Sequence, residues 1–435
     1  MEAHVVSHIQ DHLISSLNFK PSSGTSNYIT SSRYVRFLPE SGDTWTTANR
    51  TIRFRLADSA FIDMESIRLG MTIHNSTVVT AGGANADLVP LLPGGMGLFQ
   101  RCRLYVAGAL VEDIDNIGTL TAMLERLKSS ARRYNDALES GHAMTGGADA
   151  ASYNVDDESL TPLAAGTARR TISKLPFGLM AQEKWMPLSQ VAAGGVVLEL
   201  ELSSNAWQGW VYNANNTPGW SIKDVFLHAT AYDVDSSIAN SITEHVASGE
   251  PLPYALTTVY STKHFLTQAN FSIQLQRSSS RLKQVYCVIH RGSVANTPVN
   301  EFYHPLGGNA PNITNDNMEF QLTIGSHKWP ERFVQGSAET YMRLRQAAGQ
   351  FYSGDASMSC ASLGSNFTNG RAIYAIDLEK TGNQSLFSGV STKGGETLTL
   401  EFRNVTNIAA GDFMIVYQVT DVIANLRAGG CDVLD

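Results

Sequence analysis

The chain has 435 residues, 43% of them hydrophobic, which is enough for two domains of about 200 residues, each with its own core. Its formal net charge is −8, from 32 Lys+Arg against 40 Asp+Glu; tight sequence-independent binding to nucleic-acid phosphates is not expected of such a surface. No apolar stretch approaches the roughly 18 residues of a membrane span, and four cysteines with no C-x-x-C pair fit synthesis in a reducing compartment.

Residues 1–30 read as an N-terminal arm. An amphipathic helix over 1–18 puts Val6, Ile9, Leu13 and Leu17 on one face, and a Ser/Thr/Asn-rich stretch follows. His4, His8 and His12 share i, i+4 spacing, so a metal could be held there, but no carboxylate or cysteine completes the set. A polar helix face is the simpler reading.

The first domain is expected over 31–242. Runs rich in Val, Ile, Thr, Tyr and Phe between Gly, Asn, Ser and Pro predict strands at 33–38, 51–56, 66–75, 98–106, 109–113, 168–175, 195–203 and 223–234. A helix after the fifth strand would bury Ile117, Leu120, Leu124 and Leu127, with Asn116 as N-cap. The basic run from Arg126 to Arg133 is read as the solvated side of that helix. Asp113 and Asp115 sit near the helix start, where negative charge is favourable. Long loops are expected at 76–97 and 139–167.

The loop 204–221 carries Trp207, Trp210, Tyr212 and Trp220, with three of the chain's six tryptophans among them. Such a cluster can anchor an interface, cover one end of its own sandwich, or form a sugar-stacking platform. A linker is expected at 243–255 from its glycine and two prolines.

The second domain is expected over 256–426, with strands at 256–261, 270–276, 281–290, 318–325, 331–334, 370–378, 396–404 and 412–422. Its helix would bury Tyr341, Leu344, Ala348 and Phe351, with Ser337 as N-cap. A long loop falls at 292–317, and residues 427–435 read as a mobile or partner-ordered tail.

The two domains repeat one another. Tyr232, Val234 and Ile238-Ala239-Asn240 share the pattern Y-x-V-x-x-x-I-A-N with Tyr417, Val419 and Ile423-Ala424-Asn425. Gly194-Gly195 followed by Leu198, Leu200 and Leu202 matches Gly394-Gly395 followed by Leu398, Leu400 and Phe402. Phe99-Gln100 and Phe320-Gln321 open equivalent strands. Eight strands per half, antiparallel with long connections, predict an all-β fold of two tandem eight-stranded jelly rolls, each with an inserted helix.

Chemistry leaves little trace. G-x-S-x-G, H-E-x-x-H, P-loop and complete G-x-G-x-x-G patterns are missing, so no catalytic, cofactor or metal residues are expected. Asp233 and Asp235 could contribute to a calcium site, but Gln418 and Thr420 stand at the matching positions of the second half.

Phe99–Val106, Leu110–Asp115 and the helix at 117–134, together with Ser280–Val288 and Ala338–Leu344 in the second half, give the chain a family likeness. It resembles the double jelly-roll major capsid proteins of double-stranded DNA viruses, above all those of polinton-like viruses and virophages. The resemblance implies a homotrimeric, pseudo-hexagonal capsomer that tiles an icosahedral shell around a double-stranded DNA genome. Its partners would be further copies of itself, neighbouring capsomers, minor capsid, cement or penton proteins, and in some cases an internal membrane. The chain would be made in the host cytoplasm or nucleus and reside in the virion, its loops serving as towers or trimer contacts and its arm lying inside. A different class of function is a carbohydrate-binding protein or glycoside hydrolase on two β-sandwich domains, resting on Trp207, Trp210 and Trp220.

Overall fold

The computed structural model describes residues 28–78, 94–129, 163–191, 194–204, 219–290, 317–349, 372–380 and 388–435 apart from 407 and 409, with isolated positions 88, 132, 136 and 139. The first half contains β1 (Ile29–Phe37), β2 (Thr44–Trp45), β3 (Thr51–Leu56), β4 (Phe61–Asn75), β5 (Phe99–Val106), β6 (Ala109–Asp115), α1 (Ile117–Leu127), β7 (Ala168–Ser173), β8 (Met186–Pro187), β9 (Val196–Leu202) and β10 (Trp220–Val234). After α2 (Ser236–Ala247) the second half contains β11 (Leu252–Phe265), β12 (Phe271–Leu275), β13 (Leu282–His290), β14 (Glu319–Ile324), β15 (His327–Gln335), α3 (Gly336–Ala347), β16 (Tyr374–Asp377), β17 (Leu398–Arg403), β18 (Phe413–Arg427) and β19 (Gly430–Leu434).

Four antiparallel sheets result. The order β1-β10-β4-β7 is matched in the second half by β11-β18-β13-β16, and β3-β9-β5-β6 by β12-β17-β14-β15. Replacing each strand by its counterpart converts one half into the other, so the fold is a double jelly roll. Among the described residues every strand ladder stays within its own half.

Alternation explains these strands. In β3, Ile52, Phe54 and Leu56 point inward while Thr51, Arg53 and Arg55 stay outside. Leu198, Leu200 and Leu202 of β9 continue the same inner face, in register with Phe54, Ile52 and the neighbouring β5. The outer face of this sheet is laced by charge pairs: Arg50 with Glu201, Arg101 with Asp113, and Arg103 with both Glu199 and Glu201. Cross-strand neighbours of opposite sign are favourable in a sheet, modestly so when exposed. In the second roll, Phe402 stacks on Phe271 and Phe320, with centroids 5.2 and 5.4 Å apart, and meets the edge of Tyr374 at 5.3 Å. The Gly-Gly turns before β9 and β17 are confirmed: Gly195 and Gly395 have φ of 63° and 79°, where a Cβ would be strained.

Several expectations are corrected. Residues 243–255 are no linker: α2 extends to Ala247 and β11 starts at Leu252. Nor is 427–435 a loose tail, because β18 runs to Arg427 and β19 folds back onto it from Gly430. The twin words part company after the valine: Ile238-Ala239-Asn240 lie in α2, whereas Ile423-Ala424-Asn425 continue β18 between β11 and β19. Leu124 is 37% exposed, and Met123 takes its place inside α1. Helix α3 begins at Gly336 with Gln335, not Ser337, as N-cap. Its Glu339 side chain accepts a 3.0 Å hydrogen bond from the Gln335 N–H, an end-capping bond that fixes the start one residue after the strand. Finally, the buried apolar residues of the two rolls form one continuous core. The rolls are fused along a shared contact instead of hanging on a tether.

Candidate functional site

Among the described residues the chain carries one extended polar contact between elements, the contact between its two rolls. Two sheet edges make it. β6 is the edge of its sheet in the first roll, and β11 is the edge of its sheet in the second. Edge strands expose unpaired backbone groups and must be covered or blunted. Here each edge covers the other.

The hydrogen bonds across this contact mostly end on main-chain oxygens. Ser261 Oγ of β11 donates to Asp115 O at 2.8 Å, and Tyr417 Oη of β18 donates to Asn116 O at 3.1 Å. Both acceptors lie where β6 turns into α1. Asn116 sits there with a left-handed φ of 52° and makes no side-chain capping bond; the Asp115 carboxylate accepts its N–H at 2.9 Å. Further along, Tyr254 Oη donates to Trp185 O at 3.2 Å, Lys184 Nζ to Pro253 O at 2.9 Å, and Gln182 Nε2 to Ala255 O. The Trp185 ring in turn stacks on Tyr232, with centroids 4.0 Å apart.

Glu112 is a buried carboxyl at this contact. It is 1% exposed and accepts the N–H groups of Gly178 and Leu179 at 2.8 and 2.9 Å. Burial pushes its pKa up to about 7, against the opposing pull of those two N–H donors. Gly178 lies so close to the second roll that an added Cβ would overlap the Thr257 carbonyl. Its φ of −63° is ordinary, so the glycine is required by proximity alone. Tyr417 is fully buried and its hydroxyl pKa rises well above the usual tyrosine range for that reason.

Among the described residues, the counterparts of these two edges are largely exposed. β1 corresponds to β11, and from Thr30 to Tyr34 every residue of it is exposed; Tyr34 is 90% exposed. β15 corresponds to β6 and exposes His327, Lys328, Glu331, Arg332 and Gln335. Counting back five residues from each helix start, Glu331 holds the position of Glu112.

The residues singled out from sequence fall differently. Trp207, Trp210 and Tyr212, and the arm residues Val6, Ile9, Leu13 and Leu17, lie outside the described residues, as do His4, His8 and His12. Trp220 does not sit in a loop. It opens β10 opposite Asn75 and is 4% exposed, so it is a core residue that offers no ring to a partner. Asp235 caps α2, accepting the Ser237 N–H at 2.8 Å, and is thereby committed to the helix. Asp113 pairs with Arg101, and Asp115 accepts from Gln100 at 3.0 Å. Cys102 and Cys287 are buried as expected, and Cys431 is buried in β19. Among the described residues, no three His, Cys, Asp or Glu side chains are grouped to hold a metal ion. Sequence reasoning missed Glu112, Ser261 and the role of Tyr417. The available signals were a glutamate inside an apolar strand and a tyrosine that opens the repeated word.

No protein-family model matches the chain, and no curated protein does. Solved structures do. PBCV-1 VP54, as fitted into a reconstruction of the virophage Sputnik, superposes with a TM-score of 0.62 at 11% identity, over 94% of this chain and 98% of that one. The Sputnik virophage structure matches with a TM-score of 0.60 at 11% identity, over 96% and 91%. The Faustovirus major capsid protein gives 0.60 at 10% identity, over 97% and 94%. At these identities the likeness is one of fold, and it extends over both rolls.

Proposed function

We propose that this chain, which has the double jelly-roll fold of those viral proteins, is a major capsid protein of a double-stranded DNA virus. The observation that carries the reading is the end-to-end match of both rolls, covering more than nine-tenths of each compared chain. In this role three copies associate into a pseudo-hexagonal capsomer, and capsomers tile an icosahedral shell in the virion. The internal repeat supports the arithmetic: two like rolls per chain give six lateral units from three chains. Partners are then further copies, neighbouring capsomers and the minor, cement or penton proteins that join them, with an internal membrane where the virus has one. The role is structural and needs neither cofactor nor catalytic residue. With its net charge of −8 the chain is a poor DNA condenser, so it encloses the genome without binding it tightly.

The purified 47.2 kDa chain is expected to sediment as a trimer and to show six-sided blocks by negative-stain electron microscopy. A monomer under every assembly condition tried would remove the reading.

A further inference from the structure

Four polar side chains touch one after another across the sheet β11-β18-β13-β16: Thr257 of β11, Asp421 of β18, Lys283 of β13, and Glu379 just past β16. A bulge puts the lysine there. The register of β13 on β18 steps from Leu282–Thr420 to Gln284–Val419, so Lys283 is the extra residue, and such a bulge re-aims the side chain it carries. Lys283 Nζ lies 3.1 Å from Glu379 Oε1 and 3.5 Å from Asp421 Oδ2, and the three side chains are 11%, 10% and 5% exposed. Thr257 Oγ1 donates to the other oxygen of Asp421, Oδ1, at 2.6 Å. Among the described residues Oδ2 accepts no hydrogen bond.

As an ion pair, Lys283 and Asp421 are incomplete. A charge-assisted hydrogen bond closes to about 2.7–2.9 Å, and buried charges are stabilised only when their pairing and hydrogen bonding are full. As reactants the same groups are well placed. The amine nitrogen is held near a carboxyl at the separation of about 3–3.5 Å from which attack proceeds. A hydroxyl already donates to the oxygen on which charge would develop, and a second carboxylate reaches the amine and can carry its protons.

We propose that Lys283 and Asp421 condense into an amide bond inside the folded chain, with Glu379 as the proton carrier. The ion pair is the state that folding first assembles. Glu379 takes one proton from the ammonium and delivers it to Asp421 Oδ2, which leaves a neutral amine beside a neutral carboxyl. Nζ attacks Cγ while Thr257 holds Oδ1. The Nζ–Cγ bond forms, and the Cγ–Oδ2 bond breaks. Of the three ammonium hydrogens one stays on the amide nitrogen; two leave with Oδ2 as water, the second also by way of Glu379. Nothing is oxidised or reduced, and no outside reagent enters. Two buried charges give way to a neutral group, and β18 is tied covalently to β13 beside it.

Intact-mass spectrometry of the full chain, denatured after prolonged incubation in the folded state, tests this. The expected mass is that of the sequence less one water, and a tryptic digest should show no cleavage after Lys283 and one branched peptide that contains both Lys283 and Asp421. Lys283→Arg keeps a cation but lacks the amine, and is expected to keep the full sequence mass. Asp421→Asn is expected to lose ammonia in place of water. Glu379→Gln should slow the mass loss about a hundredfold or more after refolding. A folded wild-type chain that stays at full sequence mass overturns the proposal, whatever the variants do. A loss of water that survives Lys283→Arg overturns it as well.

Discussion

Glu112 and His290 are both buried, and they answer pH in opposite directions. Glu112, with a pKa of about 7 in the fold against 4.5 ordinarily, holds its proton longer than the unfolded chain does. Its contribution is therefore full below pH 4.5 and is lost as pH rises towards 7, on the order of 3 kcal/mol in all. His290 is stacked on Phe413 at 5.2 Å, near Lys263, and burial lowers its pKa from 6.5 to about 3. The unfolded chain takes up that proton first, so stability falls as pH drops from 6.5 towards 3. Between pH 4.5 and 6.5 the two slopes cancel in part. Glu112→Gln is expected to leave a chain that only gains stability with rising pH in that window; His290→Gln should leave one that loses it. Thermal unfolding at half-unit pH steps separates the two. Lys283 makes a third case. Its ammonium lies 3.1 Å from Glu379 and 3.5 Å from Asp421, all three nearly buried, and Thr257 donates to Asp421 at 2.6 Å. Lys283→Met leaves two buried carboxylates without a cation and is expected to cost about 3–5 kcal/mol in denaturant unfolding.

Gly178 carries the corresponding prediction for the elements. Gly178→Ala pushes a methyl group into the Thr257 carbonyl and must part β11 from the turn that faces it. Overpacking of this kind costs about 1–3 kcal/mol, read as a lower unfolding temperature. Gly394→Ala, which meets nothing within 4 Å, serves as the near-neutral control. The strands were legible in the sequence because their signal is local: the alternation of β3 and β9 states which face is inner without reference to any partner. The expected and observed bounds differ at strand ends, both in edge strands, where β1 and β11 begin earlier than expected, and in inner ones, where β4 begins at Phe61 and β18 runs on to Arg427. Helix α2 was legible as well, with Asp235 as cap and Ile238, Ile242 and Val246 spaced by four. The repeated word hid it by making Ile238-Ala239-Asn240 look like the close of a strand. The contact between the rolls was not legible. Whether Glu112 is buried depends on Gly178 and Leu179, 66 and 67 residues away, and no local period reports that.

For the whole molecule, the sedimenting mass of the purified chain is the deciding measurement. The structure also changes how the chain is divided. A shared core and a helix in place of a tether make the two rolls one mechanical unit, so force on either roll passes directly to its neighbour. Of the hydrogen bonds that cross from roll to roll, those of Ser261, Tyr417, Tyr254, Lys184 and Gln182 all end on peptide carbonyls. A peptide carbonyl is present whatever amino acid carries it. The receiving half of such a joint can replace its side chains freely over time, provided its backbone keeps its path. Proteins that retain barely a tenth of their letters in common can on that account still be put together in the same way.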